Sequence, residues 1–228
     1  MTDWERARSI NQKVSRESEI LGAARILLLE KTYESITFSD LATHISFSRA
    51  SIYQYFQSKE EVYLALLAYE IEIFGKKAYD EIIPLCTTKT PIKTFSNAWA
   101  NLLENQKILL QLLSMAGTIL EKNCSNDVLL KSKLSMAHTM KENLFPILHS
   151  FFPSVTETEI LKIIQFLIVS ANGLYPLCGL TIDQKSLLLS HGLGEMIHSF
   201  ESDYRLMIEE YLYDRYSYAL DAEVINDK

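Results

Sequence analysis

The stretch from Ser35 to Leu67, SITFSDLATHISFSRASIYQYFQSKEEVYLALL, constrains this chain more than any other. Thr37-Phe38-Ser39-Asp40 opens a short helix, with Thr37 or Ser39 able to cap its exposed N–H groups, that ends near Ile45. Ser46-Phe47-Ser48 makes a turn, and Ser48 is placed to cap a further helix through Tyr55. Leu41, Ile45, Ile52 and Phe56 recur at spacings that give the two short helices a small common core. Ser58-Lys59-Glu60-Glu61 then reads as a capping box, Ser58 with Glu61 three residues on, opening a long helix that Pro84 stops. Two short helices crossed at a tight turn and followed by a long connecting helix are the parts of a helix-turn-helix reader of duplex DNA.

The rest of the chain is helical by the same reasoning, and the fold class is all-α. Only 7 Gly and 5 Pro occur in 228 residues, too few for the turns of an all-β fold. Ile20, Ala23, Ala24, Leu27 and Leu28 predict a first helix from Arg16 to Lys31. Residues 1–15 read as a flexible arm carrying Arg6, Arg8 and Lys13, residues 16–60 as the helix-turn-helix domain, and residues 61–228 as a larger helical domain. In that larger domain, helices are predicted near 91–104, 106–122, 126–150, 156–176, 183–199 and 202–221. The segment from Ile160 to Leu177 is apolar on most faces and must be covered all round, by its own core or by a second subunit.

Charge is unevenly spread. Of 22 Lys+Arg and 29 Asp+Glu, eight of each fall in residues 1–60, so the whole net charge of −7 lies beyond them. A neutral head with clustered basic groups approaches phosphate, while an acidic body is held away from it. The start has no apolar signal-like core, and the run from Ile163 to Ala171 is about half the length of a membrane span. Cys86, Cys124 and Cys178 form no CxxC pair, and reduced thiols fit a cytoplasmic protein.

The head resembles the TetR family of one-component transcriptional regulators. The residues that carry the resemblance are Thr37-Phe38, Asp40-Leu41-Ala42, Ser48-Arg49-Ala50-Ser51-Ile52-Tyr53-Gln54-Tyr55-Phe56 and Ser58-Lys59-Glu60, within a span from Arg16 to Leu67. Two positions depart from the family pattern. Ile45-Ser46-Phe47 replaces Ala-Gly-Val in the turn, where Gly ordinarily supplies a positive φ, and Ala50 replaces a Gly in the reading helix.

Residue chemistry assigns roles within the motif. Arg49 suits guanine and Gln54 suits adenine at base edges. Thr37, Ser48, Ser51, Tyr53 and Tyr55 can donate to phosphates, and Lys59 adds a cation at a helix N-terminus. One helix-turn-helix touches few base pairs, so useful affinity calls for a dimer on a palindromic operator.

The resemblance implies pairing through the last two helices, here 156–176 and 202–221. Tyr204, Met207, Ile208, Tyr211, Leu212 and Tyr218 give the latter an aromatic stripe that serves either a dimer bundle or the intrachain core. The resemblance also implies an effector pocket among the middle helices. Phe74, Trp99, Met115, His138, Phe145 and Tyr175 are candidate lining residues, suited to an apolar or aromatic small molecule, and core packing accounts for each as well. The expected function is a repressor released from its operator by that effector, with no cofactor. The alternative is a ligand-independent DNA-binding adaptor that recruits a protein.

An enzyme is not expected: no HExxH, Gly-rich phosphate loop or GxSxG occurs. His191, Glu195 and His198 would share one face if 183–199 were a continuous helix, but Gly192 and Gly194 weaken that helix and no metal is expected.

Overall fold

The computed structural model describes the backbone of residues 3–226 and the side chains of residues 12–216. Every regular element in that range is helical: α1 Asp3–Glu30, α2 Phe38–Ala42, α3 Arg49–Ile52, α4 Lys59–Ile82, α5 Pro91–Glu104, α6 Lys107–Met115, α7 Asn126–Thr139, α8 Phe145–Phe151, α9 Glu157–Leu177, α10 Ile182–Ser190 and α11 Phe200–Asn226. Two π-helical turns interrupt the series, Ala116–Leu120 after α6 and Met140–Leu144 between α7 and α8. The chain sorts into two compact units, Met1–Glu70 with Met115–Leu134, and Ile71–Ser114 with Ser135–Lys228.

In the first unit, α1 buries Ile20, Ala23, Ala24, Leu27 and Leu28, the face its periodicity predicts. It begins thirteen residues before Arg16, so helix replaces the arm expected over most of residues 1–15. The side chains of Arg6 and Arg8 lie outside the described residues. α2 opens on a full capping box: Thr37 accepts the N–H of Asp40, and the Asp40 carboxylate accepts the N–H of Thr37. α3 is a single turn, and the backbone continues as a tighter turn through Tyr53–Tyr55, shorter than the helix predicted through Tyr55. Leu41, Ile52 and Phe56 close the small core, with Ile45 half-buried.

The second unit is a helical body. Pro91 starts α5, where its missing N–H costs nothing. α5 sends Ile92, Phe95, Ser96, Trp99, Ala100, Leu102 and Leu103 into the core, and it packs closely along α11. α9 opens on a Thr156–Glu159 capping box and buries Ile160, Ile163, Ile164, Leu167, Ala171 and Leu174 against α8 and α11. It is long and apolar enough to cross a membrane by length and composition, twice the run expected from sequence, but that buried stripe is the face of a core helix. On α11, Tyr204, Ile208, Leu212 and Tyr216 point inward, so much of the aromatic stripe is intrachain core. Tyr211 stacks on Phe166 at 3.9 Å, and the side chain of Tyr218 lies outside the described residues.

Gly75 of α4 and Thr139 of α7 meet so closely that a Cβ on Gly75 would lie 2.5 Å from the Thr139 Cγ2. The predicted helix over 183–199 is broken. α10 stops at Ser190, and Gly192 turns the chain at φ 72°, a conformation that suits glycine.

Candidate nucleic-acid interface

The outward face of the α3 turn is built by its neighbours. The N–H and hydroxyl of Ser46 both donate to the carboxylate of Glu19 on α1, the hydroxyl at 3.0 Å. That tether replaces the family glycine: Ser46 needs no positive φ, and no non-glycine residue among those described adopts one. Phe47 lies under the Arg16 guanidinium, 5.3 Å from its ring centre, and against Tyr55 at 6.4 Å. Phe38 meets Tyr53 edge to face at 4.8 Å. With the turn pinned at both ends, Arg49, Ala50, Tyr53 and Gln54 are left exposed on one side, and Ser51 and Tyr55 half-exposed.

Arg49 and Gln54, the two side chains suited to base edges, are both exposed. Ser48 adopts the extended backbone of an N-cap, but its hydroxyl pairs with that of Ser51 at 3.0 Å instead of a backbone N–H. Thr37 is committed locally. Its hydroxyl donates to Asp40 Oδ2 at 2.7 Å and accepts the Asp40 N–H at 3.2 Å. Hydrogen bonds from Lys31, 2.6 Å away, and then from Thr37 hold the Asp40 carboxyl well below the usual carboxylate range.

Lys59 is folded inward. Its ammonium donates to the carbonyl of Tyr33 at 2.8 Å and sits 4.2 Å above the Tyr33 ring centre. The Tyr33 hydroxyl donates to Glu60 at 3.0 Å, and burial, then that bond, pushes the phenol above its ordinary pKa. Lys59 is thus a half-buried brace at the start of α4.

The start of α4 also departs from the simple capping box. Ser58 Oγ accepts the N–H of Glu61 at 3.2 Å, as the spacing predicts. The Glu61 carboxylate, however, accepts the N–H of Gln57 at 2.6 Å and that of Ser125 at 3.1 Å. Ser58 Oγ further donates to the carbonyl of Asn123 at 3.2 Å, and Lys131 lies 3.5 Å from Glu17. The segment after α6 therefore completes the head. Glu19, Asn123 and Ser125 carry no signal in the sequence, and Glu61 only that of a local capping partner, because bonds spanning 27 to 65 residues leave no periodic trace.

The candidate pocket residues are dispersed. Phe74 meets Trp99 edge to face at 5.2 Å; Trp99 donates to the Tyr204 hydroxyl at 3.3 Å, and Tyr204 donates to the Leu167 carbonyl at 2.8 Å. Phe200 stacks on Tyr204 at 5.0 Å, and Tyr175 meets Phe200 at 6.0 Å. Phe74, Trp99 and Tyr175 thus belong to one aromatic cluster of the second unit. Met115 is buried in the first unit, and Phe145 is half-buried after the second π turn. His138 is not with the cluster: it lies exposed on α7, 4.0 Å from Glu142, because its side of that helix faces outward. His191, Glu195 and His198 share no helical face once α10 has ended, and His198 pairs with Asp203 at 3.0 Å. Among the described residues no group of three His, Cys, Asp or Glu is placed to hold a metal ion.

Two family models match the chain. Residues 20–66, α1 through the first turns of α4, match the model of bacterial regulatory proteins of the tetR family. Residues 77–212, more than half of the chain, match the model of the tetracyclin repressor-like C-terminal domain. A comparison with curated proteins found no match. The match of head and body in this order means that the chain belongs to the TetR family of DNA-binding transcriptional regulators.

Proposed function

We propose that this regulator is a cytoplasmic homodimeric repressor, held on a palindromic operator by two copies of α3 and released from it by a small molecule. The observation that carries the reading is the open face of Arg49, Tyr53 and Gln54 on a turn pinned by Glu19 and Phe38. Arg49 and Gln54 read bases from that face, Ser48, Ser51 and the tyrosines hold the phosphates, and Lys59 contributes charge.

Pairing is supported by what α9 and α11 leave uncovered. Leu161, Ile168 and Val169 are 52%, 37% and 62% exposed along one side of α9, and Leu206, Met207 and Tyr213 are exposed on α11. An apolar stripe on each of two neighbouring helices suits a self-complementary two-fold bundle. Effector control is supported by a buried polar atom beside the aromatic cluster: Ser96, one turn before Trp99 on α5, has a fully buried hydroxyl with no partner among the described residues. A ligand in this body would favour a state in which α4 swings, so that the paired α3 turns no longer match major grooves about 34–36 Å apart.

The test is selection of bound fragments from a random DNA library at fixed salt. Enrichment of a palindrome whose half-sites lie one helical turn apart supports the dimeric reader and supplies the probe for ligand release. Enrichment of a single asymmetric half-site would sink the dimer, and retention of the operator with every apolar or aromatic compound in a broad screen would count against effector release.

A further inference from the structure

The segment between α9 and α11 contains a helix with defined ends and no buried residue. α10 opens on a capping box in which Thr181 accepts the N–H of Gln184 and Gln184 accepts that of Thr181. It closes on Gly192, after which the N–H of Leu193 returns to the carbonyl of Leu188 at 2.9 Å. Yet none of its residues is buried. Ile182 is 83% exposed, Leu187 60%, Leu189 62% and Met196, just beyond, 56%. Nine residues are too few for a helix to be stable by itself in water, and a chain that specifies both caps while leaving Ile182, Leu187 and Leu189 uncovered lacks a packing surface for them.

We propose that α10 docks on a second copy of this chain, as an extension of the dimer face formed by α9 and α11; this rests on the homodimer reading above. Continuity points to that occupant. The outward apolar side of α9 ends at Leu177, 55% exposed, and α10 begins five residues later, at Ile182. Its other end leads into α11, whose Leu206 and Met207 lie outward. Symmetry gives each copy one such helix to place on the other.

The experiment uses the full chain. Leu187→Ser with Leu189→Ser changes two exposed positions, so each protomer keeps its core. Sedimentation equilibrium should show the dimer dissociation constant of the double variant raised roughly tenfold or more. In the unaltered chain, hydrogen exchange of the α10 amides should slow as concentration rises through that constant. This second readout stands even where the double variant fails to fold. If the unaltered chain pairs while α10 exchange ignores concentration, or the folded double variant pairs as tightly, α10 is not at the interface and the α9/α11 dimer stands alone. A chain that stays monomeric at every concentration overturns the dimer reading and this inference together.

Discussion

The carboxylate of Glu61 accepts the backbone N–H of Ser125, 64 residues further along the chain, at 3.1 Å, while its other oxygen holds Gln57 at 2.6 Å. One buried side chain thus joins the end of the reading turn, the start of α4 and the cap of α7. Glu61→Ala would leave two N–H groups without their acceptor, and should cost about 1–3 kcal/mol in stability. Urea unfolding monitored by circular dichroism measures it; an unchanged midpoint would show that water replaces the clasp freely.

The same contact sets a pH dependence. Burial, the largest single influence, works to raise the pKa of Glu61, but the bonds from Ser125, Gln57 and Ser58 together outweigh it and leave the pKa lowered. A carboxyl favoured as its anion in the folded chain contributes fully above the ordinary glutamate value of about 4.3, and that contribution fades as pH falls through the lowered value. Thermal melts of the unaltered chain and of Glu61→Gln should differ at neutral pH and converge well below about pH 4.

Arg49→Ala should weaken operator binding by about 1–3 kcal/mol and relax base preference at one position of each half-site. Binding titrations against single-base operator variants would show it. Retained discrimination at every position would move the reading role away from the α3 turn.

Lys59 serves two ends, and its removal should show both. Lys59→Ala loses the bond to Tyr33 and the ring contact, at about 1 kcal/mol of head stability. It should also lower the salt slope of DNA binding by about one unit. A stability loss with an unchanged slope would make Lys59 a brace alone.

Gly75→Ala sets helix propensity against a clash. The propensity gain is at most about 1 kcal/mol, whereas a Cβ 2.5 Å from the Thr139 Cγ2 forces two helices apart. Overpacking of that kind costs about 1–3 kcal/mol, so the variant should be the less stable. Thr139→Ser removes the offending methyl and should restore most of the loss, a coupling that a double-mutant cycle reads directly.

Val169→Glu should shift the chain toward monomer, because it sets a charge in the exposed apolar side of α9. Sedimentation would report the shift, and operator affinity should fall with it. A stable dimer carrying that substitution would place the subunit contact elsewhere.

Sequence alone determined the features set by near neighbours. Thr37 with Asp40 three residues on wrote a cap, and Leu41, Ile52 and Phe56 wrote a buried face, since bonds and packing within a few residues follow from helical geometry. The exposure of Arg49, Tyr53 and Gln54 was legible for the same reason: what the core spacing leaves over is the outside. Tertiary structure decided which partners a polar group finds once helices cross. It turned Lys59 toward Tyr33, gave Glu61 to Ser125, left His138 outside the aromatic cluster and sent Tyr204 inward to Trp99. Those outcomes depend on distances between backbones far apart in the chain, to which side-chain spacing is blind.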